Sequence, residues 1–138
     1  MNNKKFLGLI GYGYWGKNLA RDFNTLGVLK AISDINPKAK NDIRKISKNI
    51  SYRSNYKDIL KDSDISSVAI ATPAKSHYRI VRDSLMAKKN VFVEKPLCLN
   101  EDELEEIILL QQKVRKVVMI GFNRRFSTLT KKMKKIVG

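Results

Sequence analysis

The stretch Leu9-Ile10-Gly11-Tyr12-Gly13-Tyr14-Trp15-Gly16-Lys17-Asn18 decides how this chain is read. Its glycines stand at 11, 13 and 16, a Gly-x-Gly-x-x-Gly spacing. The spacing alone is a weak signal; its setting gives it weight. The apolar run before it, Lys5–Gly11, reads as a buried strand. After it, Trp15, Leu19, Phe23 and Leu26 fall on one stripe of a 3.6-residue period, and Gly27 stops the helix. On that phase Trp15 belongs to the core; as part of the glycine loop it is also a candidate cofactor-binding residue. A glycine turn between strand and helix can cradle phosphates. Gly11 permits the turn, Gly13 lets the backbone approach a pyrophosphate, and Gly16 lets the helix pack close to the sheet. The free N–H groups at the helix start attract anions, and Tyr14 is expected against the pyrophosphate.

The second part of such a fingerprint is an acid at the end of the next strand. Val28–Ile35 reads as that strand, and Asp34 lies 18 residues after Gly16. Its carboxylate can accept hydrogen bonds from ribose hydroxyls and repels a 2′-phosphate. The expected cofactor is therefore NAD rather than NADP, with Ile35 beside it. Lys38, Lys40 and Arg44 lie just downstream and soften the repulsion.

Apolar and amphipathic segments alternate along the rest of the chain. Asn36 caps a helix that Pro37 opens, with Ala39, Ile43, Ile46 and Ile50 on one face. A short strand near Ile50–Arg53, a brief helix at Asn55–Asp62 and a buried strand at Ser66–Thr72 follow. Ser76 caps a helix to about Lys88, with Tyr78, Val81 and Leu85 inward. Asn90–Glu94 is a strand. Asn100 caps another helix, whose first turn is acidic, and Val117–Phe122 is the last strand. The alternation specifies an α/β Rossmann-type, doubly wound, mainly parallel six-stranded sheet with helices on both faces. Residues 1–126 form the dinucleotide-binding domain, and 127–138 begin a linker helix.

Composition narrows the function classes. The 138 residues suit one domain. Cys98 and His77 are the single cysteine and histidine, so neither a disulfide nor a cluster of such ligands can form within the chain. No apolar run approaches the ~20 residues of a membrane helix, and no secretory h-region is present, so a cytoplasmic protein is expected. The net charge of +15 comes from 28 basic and 13 acidic residues. Most bases are scattered, but Lys113–Gly138 holds nine Lys or Arg and no acid. No helix-turn-helix, zinc-finger or RNA-binding aromatic signature accompanies that tail, so no specific nucleic-acid partner is expected.

Three more stretches sit at strand ends: Ala71–His77, Val93–Leu97 and Gly121–Phe126. With Gly11–Gly16 and Asp34 they carry a resemblance. The motifs are Thr72-Pro73 with His77, Glu94-Lys95-Pro96, and Gly121-Phe122-Asn123-Arg124-Arg125-Phe126. In order and spacing the chain resembles the N-terminal domain of the glucose–fructose oxidoreductase, inositol dehydrogenase and rhizopine-catabolism family (Gfo/Idh/MocA). The wording around Gly11–Asn18 looks most like members acting on nucleotide-sugars. The resemblance implies an NAD(P)-dependent oxidoreductase acting on a sugar or polyol carbon. It places Lys95 at the reacting hydroxyl, assisting its proton transfer. It places Thr72, Pro73 and His77 beside the nicotinamide half of the cofactor, with Glu94 at the same strand end as Lys95. Asn123 and Arg124 fall on the substrate side.

Read without the family, His77 is a helix-start residue facing water, and Cys98 is a small packing residue rather than a nucleophile. Family members are about twice as long or more, and their second domain carries a histidine acid/base that this chain cannot supply. Cofactor binding without turnover is therefore expected of this chain, with an exposed apolar face through which a homo-oligomer could form. The alternative is a stand-alone NAD-sensing module.

Overall fold

The computed structural model describes residues 5–137. Six strands, β1 (Phe6–Ile10), β2 (Leu29–Ser33), β3 (Ser51–Arg53), β4 (Ile65–Ile70), β5 (Asn90–Val93) and β6 (Val118–Ile120), form one parallel sheet in the order β3-β2-β1-β4-β5-β6. Between them run α1 (Tyr14–Thr25), α2 (Ala39–Ile46), α3 (Tyr56–Lys61), α4 (His77–Met86) and α5 (Glu101–Val114); α6 (Thr128–Val137) follows β6. The order reverses between β1 and β4. Strands on either side of that point lead their connections away in opposite directions, which opens a crevice at their carboxyl ends.

Alternate strand residues serve opposite faces. Ile10, Ala31, Val68, Ile70, Val91 and Val93 pack on one side with Ile59, Ile80, Val81, Leu85 and Ile107 from α3, α4 and α5. Leu9, Ile32 and Ala69 pack on the other with Ala20 of α1 and Ala39 and Ile43 of α2. Both faces are covered, so the central strands are apolar throughout rather than alternating.

The first helix departs from expectation. Trp15 and Leu26 are exposed, at 52% and 70%, and the fully buried positions are Gly16 and Ala20. The helix lies so close to the sheet that its contact residues must be small. A count of large apolar residues therefore sets the stripe one position off. The second helix starts later than expected, at Ala39 rather than Pro37. Asn36 still caps the turn, its Oδ1 accepting from the Lys38 N–H at 3.0 Å. Ile50 is buried, but beyond the helix end. The Asn100 cap forms as expected, accepting from the Glu103 N–H at 2.9 Å, while Glu103 reaches back to the Leu99 N–H.

At the opposite end of the sheet from the crevice, two lysines fix the turn before β4. Lys30 Nζ donates to the Asp62 and Asp64 carboxylates at 3.0 and 2.6 Å. Lys89, only 7% exposed, donates through Nζ to the Asp62 and Ile65 carbonyls at 2.8 and 2.6 Å. Burial pushes the Lys89 ammonium below the ordinary lysine range. Replacing Lys89 with Met keeps the stem and strands both carbonyls. Lys89→Met is expected to lower stability by about 1–3 kcal/mol in urea unfolding; an unchanged midpoint would show that those bonds contribute nothing net.

Candidate functional site

The site is built where β1, β2, β4 and β5 end. Gly11 leaves β1 with φ +97°, a conformation that L side chains rarely adopt. A Cβ there would also lie 2.6 Å from the Ala71 carbonyl oxygen. A Cβ on Gly16 would collide with the Gly11 carbonyl. Gly13 is different: nothing lies within 4 Å of where its Cβ would stand. The open space above Gly13 faces the start of α1, which has no side-chain cap and no acid in its first turn. The first N–H groups of a helix lack intrahelical partners, and the dipole there favours negative charge. Open space, uncapped donors and positive potential together fit a pyrophosphate.

The second anchor is Asp34, just past β2. Its Oδ2 accepts from the Tyr12 N–H at 2.7 Å, and its Oδ1 accepts from the Asn36 N–H at 2.8 Å. The Tyr52 hydroxyl donates to the Asp34 carbonyl at 2.9 Å. The carboxylate is thus fixed across the glycine loop. Each of its oxygens has further lone-pair capacity for a ligand hydroxyl. Sequence spacing located Asp34 but gave no sign of the Tyr12 bond, which exists only because two strand ends are neighbours.

Two cavities meet at Ala71 and Thr72. The larger, of about 660 Å³, is lined by Gly11, Gly13, Asp34, Ile35 and Pro73, and also by Ser54, Tyr56, Lys75 and Arg79. The last four were not named as site residues from the sequence: Ser54 follows β3, Tyr56 opens α3, Lys75 lies in the 3-10 turn Ala74–Ser76 within the Ala71–His77 stretch, and Arg79 is on α4. The Tyr56 hydroxyl donates to Asp83 at 2.6 Å, and burial, reinforced by that carboxylate, pushes its pKa up to about 12. It acts there as a fixed neutral wall. The smaller cavity, of about 150 Å³, gathers Trp15, Thr72, His77, Glu94, Lys95 and Asn123. Most of the expected residues therefore divide between two chambers that share Ala71 and Thr72, one holding Asp34 and the other Lys95.

Some expected placements change. Trp15 lines the small cavity instead of the core. His77 does not face water: it is 1% exposed, with Nδ1 2.6 Å from the Pro96 carbonyl and Nε2 2.7 Å from the Thr72 carbonyl. The hydrophobic pattern gives no sign of this, because the ring is buried by main-chain acceptors from two different loops. Tyr14 is 81% exposed, its ring edge-on to Trp15 at 5.7 Å. Arg124 is exposed in the 3-10 turn Asn123–Phe126 and lines neither chamber. Lys95 is exposed, ahead of a cis bond to Pro96. Glu94 packs against Gly121, where a Cβ would stand 3.1 Å from Oε2. Cys98 is half-buried against the core, and burial raises its thiol pKa, which suits packing and not nucleophilic attack.

A six-stranded parallel sheet with a glycine cradle at its switch point and an acid after its second strand defines a dinucleotide-binding domain. Comparison with known proteins gives the family. Residues 6–122 match the GFO_IDH_MocA model, described as oxidoreductase family, NAD-binding Rossmann fold, and the chain belongs to that family as its NAD-binding domain. It is 34% identical over 140 residues to the uncharacterized oxidoreductase YrbE of Bacillus subtilis, covering 99% of this chain and 41% of that protein. It is 31% identical over 136 residues to myo-inositol 2-dehydrogenase of Thermotoga maritima, covering 95% of this chain and 40% of that one. The crystal structure of apo scyllo-inositol dehydrogenase from Lactobacillus casei superposes with a TM-score of 0.86 at 25% identity, over 99% of this chain and 42% of that one. A further structure of that enzyme, with bound NAD(H) and scyllo-inositol, is 23% identical with a TM-score of 0.83 and speaks to the fold. The chain thus spans about 40% of the length of these relatives. Among the described residues, no helix is long and apolar enough to cross a membrane.

The glycines make separable predictions. Gly13→Ala is expected to keep the unfolding midpoint while weakening NADH binding at least about tenfold, since its methyl enters only ligand space. Gly16→Ala is expected to cost about 1–3 kcal/mol of stability, since its methyl meets backbone. Calorimetric unfolding and NADH titration of both variants check the pair; equal effects on folding would mean the cradle above Gly13 is not ligand space.

Proposed function

We propose that this chain is the cofactor-holding part of a dehydrogenase that oxidises a hydroxyl carbon of a sugar, polyol or nucleotide-sugar, and that it prefers NAD to NADP. The observation that carries the reading is the pair of chambers sharing Ala71 and Thr72, one with a fixed carboxylate and the other with Lys95. Gly11, Gly13 and the start of α1 would hold the pyrophosphate, with Gly16 keeping the helix close. Asp34 would accept the ribose hydroxyls, and Ile35 and Pro73 would flank the adenosine. Thr72, Trp15 and Glu94 would border the nicotinamide end. Bound NAD supplies the hydride acceptor that no side chain can provide.

The chain's own contribution to the chemistry centres on Lys95. From the strand end it can hydrogen-bond the substrate oxygen and stabilise negative charge as that oxygen gives up its proton. Asn123 would border the substrate, and Arg124 would meet an anionic group on it. Residues 1–126 form the domain, and 127–138 begin a connection to a substrate-binding region. The relatives' greater length supports this division. The inositol dehydrogenases among the relatives support a polyol-type substrate.

The preference for NAD rests on charge. Asp34 would repel a 2′-phosphate, while Arg79 and Lys75 lie in the same chamber and would partly offset that repulsion. Wild-type chain is expected to bind NADH at least about tenfold more tightly than NADPH, and Asp34→Asn to narrow that ratio to within about threefold by removing the repelling charge. Fluorescence titrations with both cofactors decide; tighter binding of NADPH by the wild type would overturn the preference. The purified 138-residue chain is expected to bind NADH without oxidising myo- or scyllo-inositol, and measurable NADH formation would assign the full chemistry to this domain.

A further inference from the structure

Trp15 stands apart from the core stripe it was expected to join. It is the one tryptophan in the chain and is half exposed. It lines the small cavity together with Lys95, one residue ahead of Gly16 at the start of α1. A lone exposed apolar residue ordinarily needs no explanation. A large aromatic ring on the wall of a cavity does, because the other walls are small or polar, among them Ala71, Thr72, Glu94 and Lys95.

The indole is braced without being covered. Tyr14 meets it at 5.7 Å between ring centroids, with 83° between the planes. Perpendicular rings touch edge to face, so at least one indole face carries no stacked ring. Gly16 lies against the Gly11 carbonyl with no room for a Cβ, which fixes the start of α1 and the indole with it. A surface held in place before its ligand arrives loses little freedom on binding.

The character of that face selects what lies on it. An aromatic face carries negative potential, and tryptophan attracts cations more strongly than tyrosine or phenylalanine does. It is also flat and apolar. The matching group is a planar ring bearing positive charge; phosphates and sugar hydroxyls match neither property. In a nicotinamide dinucleotide only the oxidised nicotinamide, a pyridinium, is such a ring. The reduced ring is neutral, and so is adenine. We propose that Trp15 is the platform on which the nicotinamide stacks, and that it favours the oxidised ring over the reduced one. The charged residues of the cavity do not make this distinction in its place. Glu94 attracts a pyridinium and Lys95 repels it, and both line the same cavity. Their effects oppose, which leaves the indole face as the uncompensated attraction.

The proposal rests on the NAD reading of the two chambers, and its test separates the two. With a single tryptophan, the tryptophan emission of the chain reports Trp15 alone. Oxidised NAD and nicotinamide mononucleotide are each expected to quench it and to add a charge-transfer band at the red edge of its absorption, since a pyridinium accepts electron density from a stacked indole. AMP, which has no nicotinamide, is expected to bind without quenching, its binding followed by ligand-observed NMR. A wild-type chain that binds NAD with unchanged emission overturns the proposal and leaves the NAD reading standing; a chain that binds neither NAD nor AMP overturns both. Trp15→Leu keeps an apolar side chain at a half-exposed position, so the fold does not depend on the ring. It is expected to weaken oxidised NAD about fivefold, and NADH and AMP by no more than about twofold, in calorimetric titration. Equal losses of NAD and NADH would overturn the preference for the oxidised ring, and equal losses of NAD and AMP would overturn the platform itself.

Discussion

The contact of α1 with the first strand's exit governs the rest of the structure. Gly16 lies against the Gly11 carbonyl with no room for a methyl, and Gly11 lies against Ala71 at the end of β4. Helix, glycine loop and two central strands are thereby locked to one another by backbone contact. Backbone is the least adaptable part of a protein, so the start of α1 has one place to be. That place is the topological switch point, where a helix start with no side-chain cap adjoins the open space above Gly13.

From this lock the other parts acquire their positions. Asp34 is brought to the glycine loop because β2 neighbours β1, and the Tyr12 N–H then fixes its carboxylate. Lys95 is brought to the far end because β5 neighbours β4, and the His77 ring ties its segment to Thr72. Asp34 and Lys95 thus stand one strand outside β1 and β4 on opposite sides of the switch point. The opposite end of the sheet serves stability instead. There Lys30 and Lys89 hold the turn before β4.

Much of this was legible in the chain. The strand–helix alternation, the six strands and the covered faces follow from period and apolar runs. Asp34 was legible from its spacing to Gly16, and the Asn100 cap from its acidic first turn. The failures share a cause. Trp15 looked like core because large apolar residues dominate a periodicity count, whereas the true contact stripe of α1 runs through Gly16 and Ala20, which have almost no side chain to count. His77 looked like a surface residue because a lone polar residue at a helix start usually is. Its burial depends on carbonyls from residues five and nineteen positions away.

The sequence by itself determined the local choices: which segments are strands or helices, where glycine is required, and the family these choices mark. Those are set by propensity, period and sterics within a few residues. Only the tertiary structure decided that the expected residues divide between two chambers, that Tyr12 holds Asp34, that Arg79 and Lys75 share the Asp34 chamber, and that His77 bridges two loops. Each of these pairs groups distant in sequence, and they meet only because strand order brings their loops together. No local pattern encodes that meeting; the packing of backbone on backbone at Gly11 and Gly16 does.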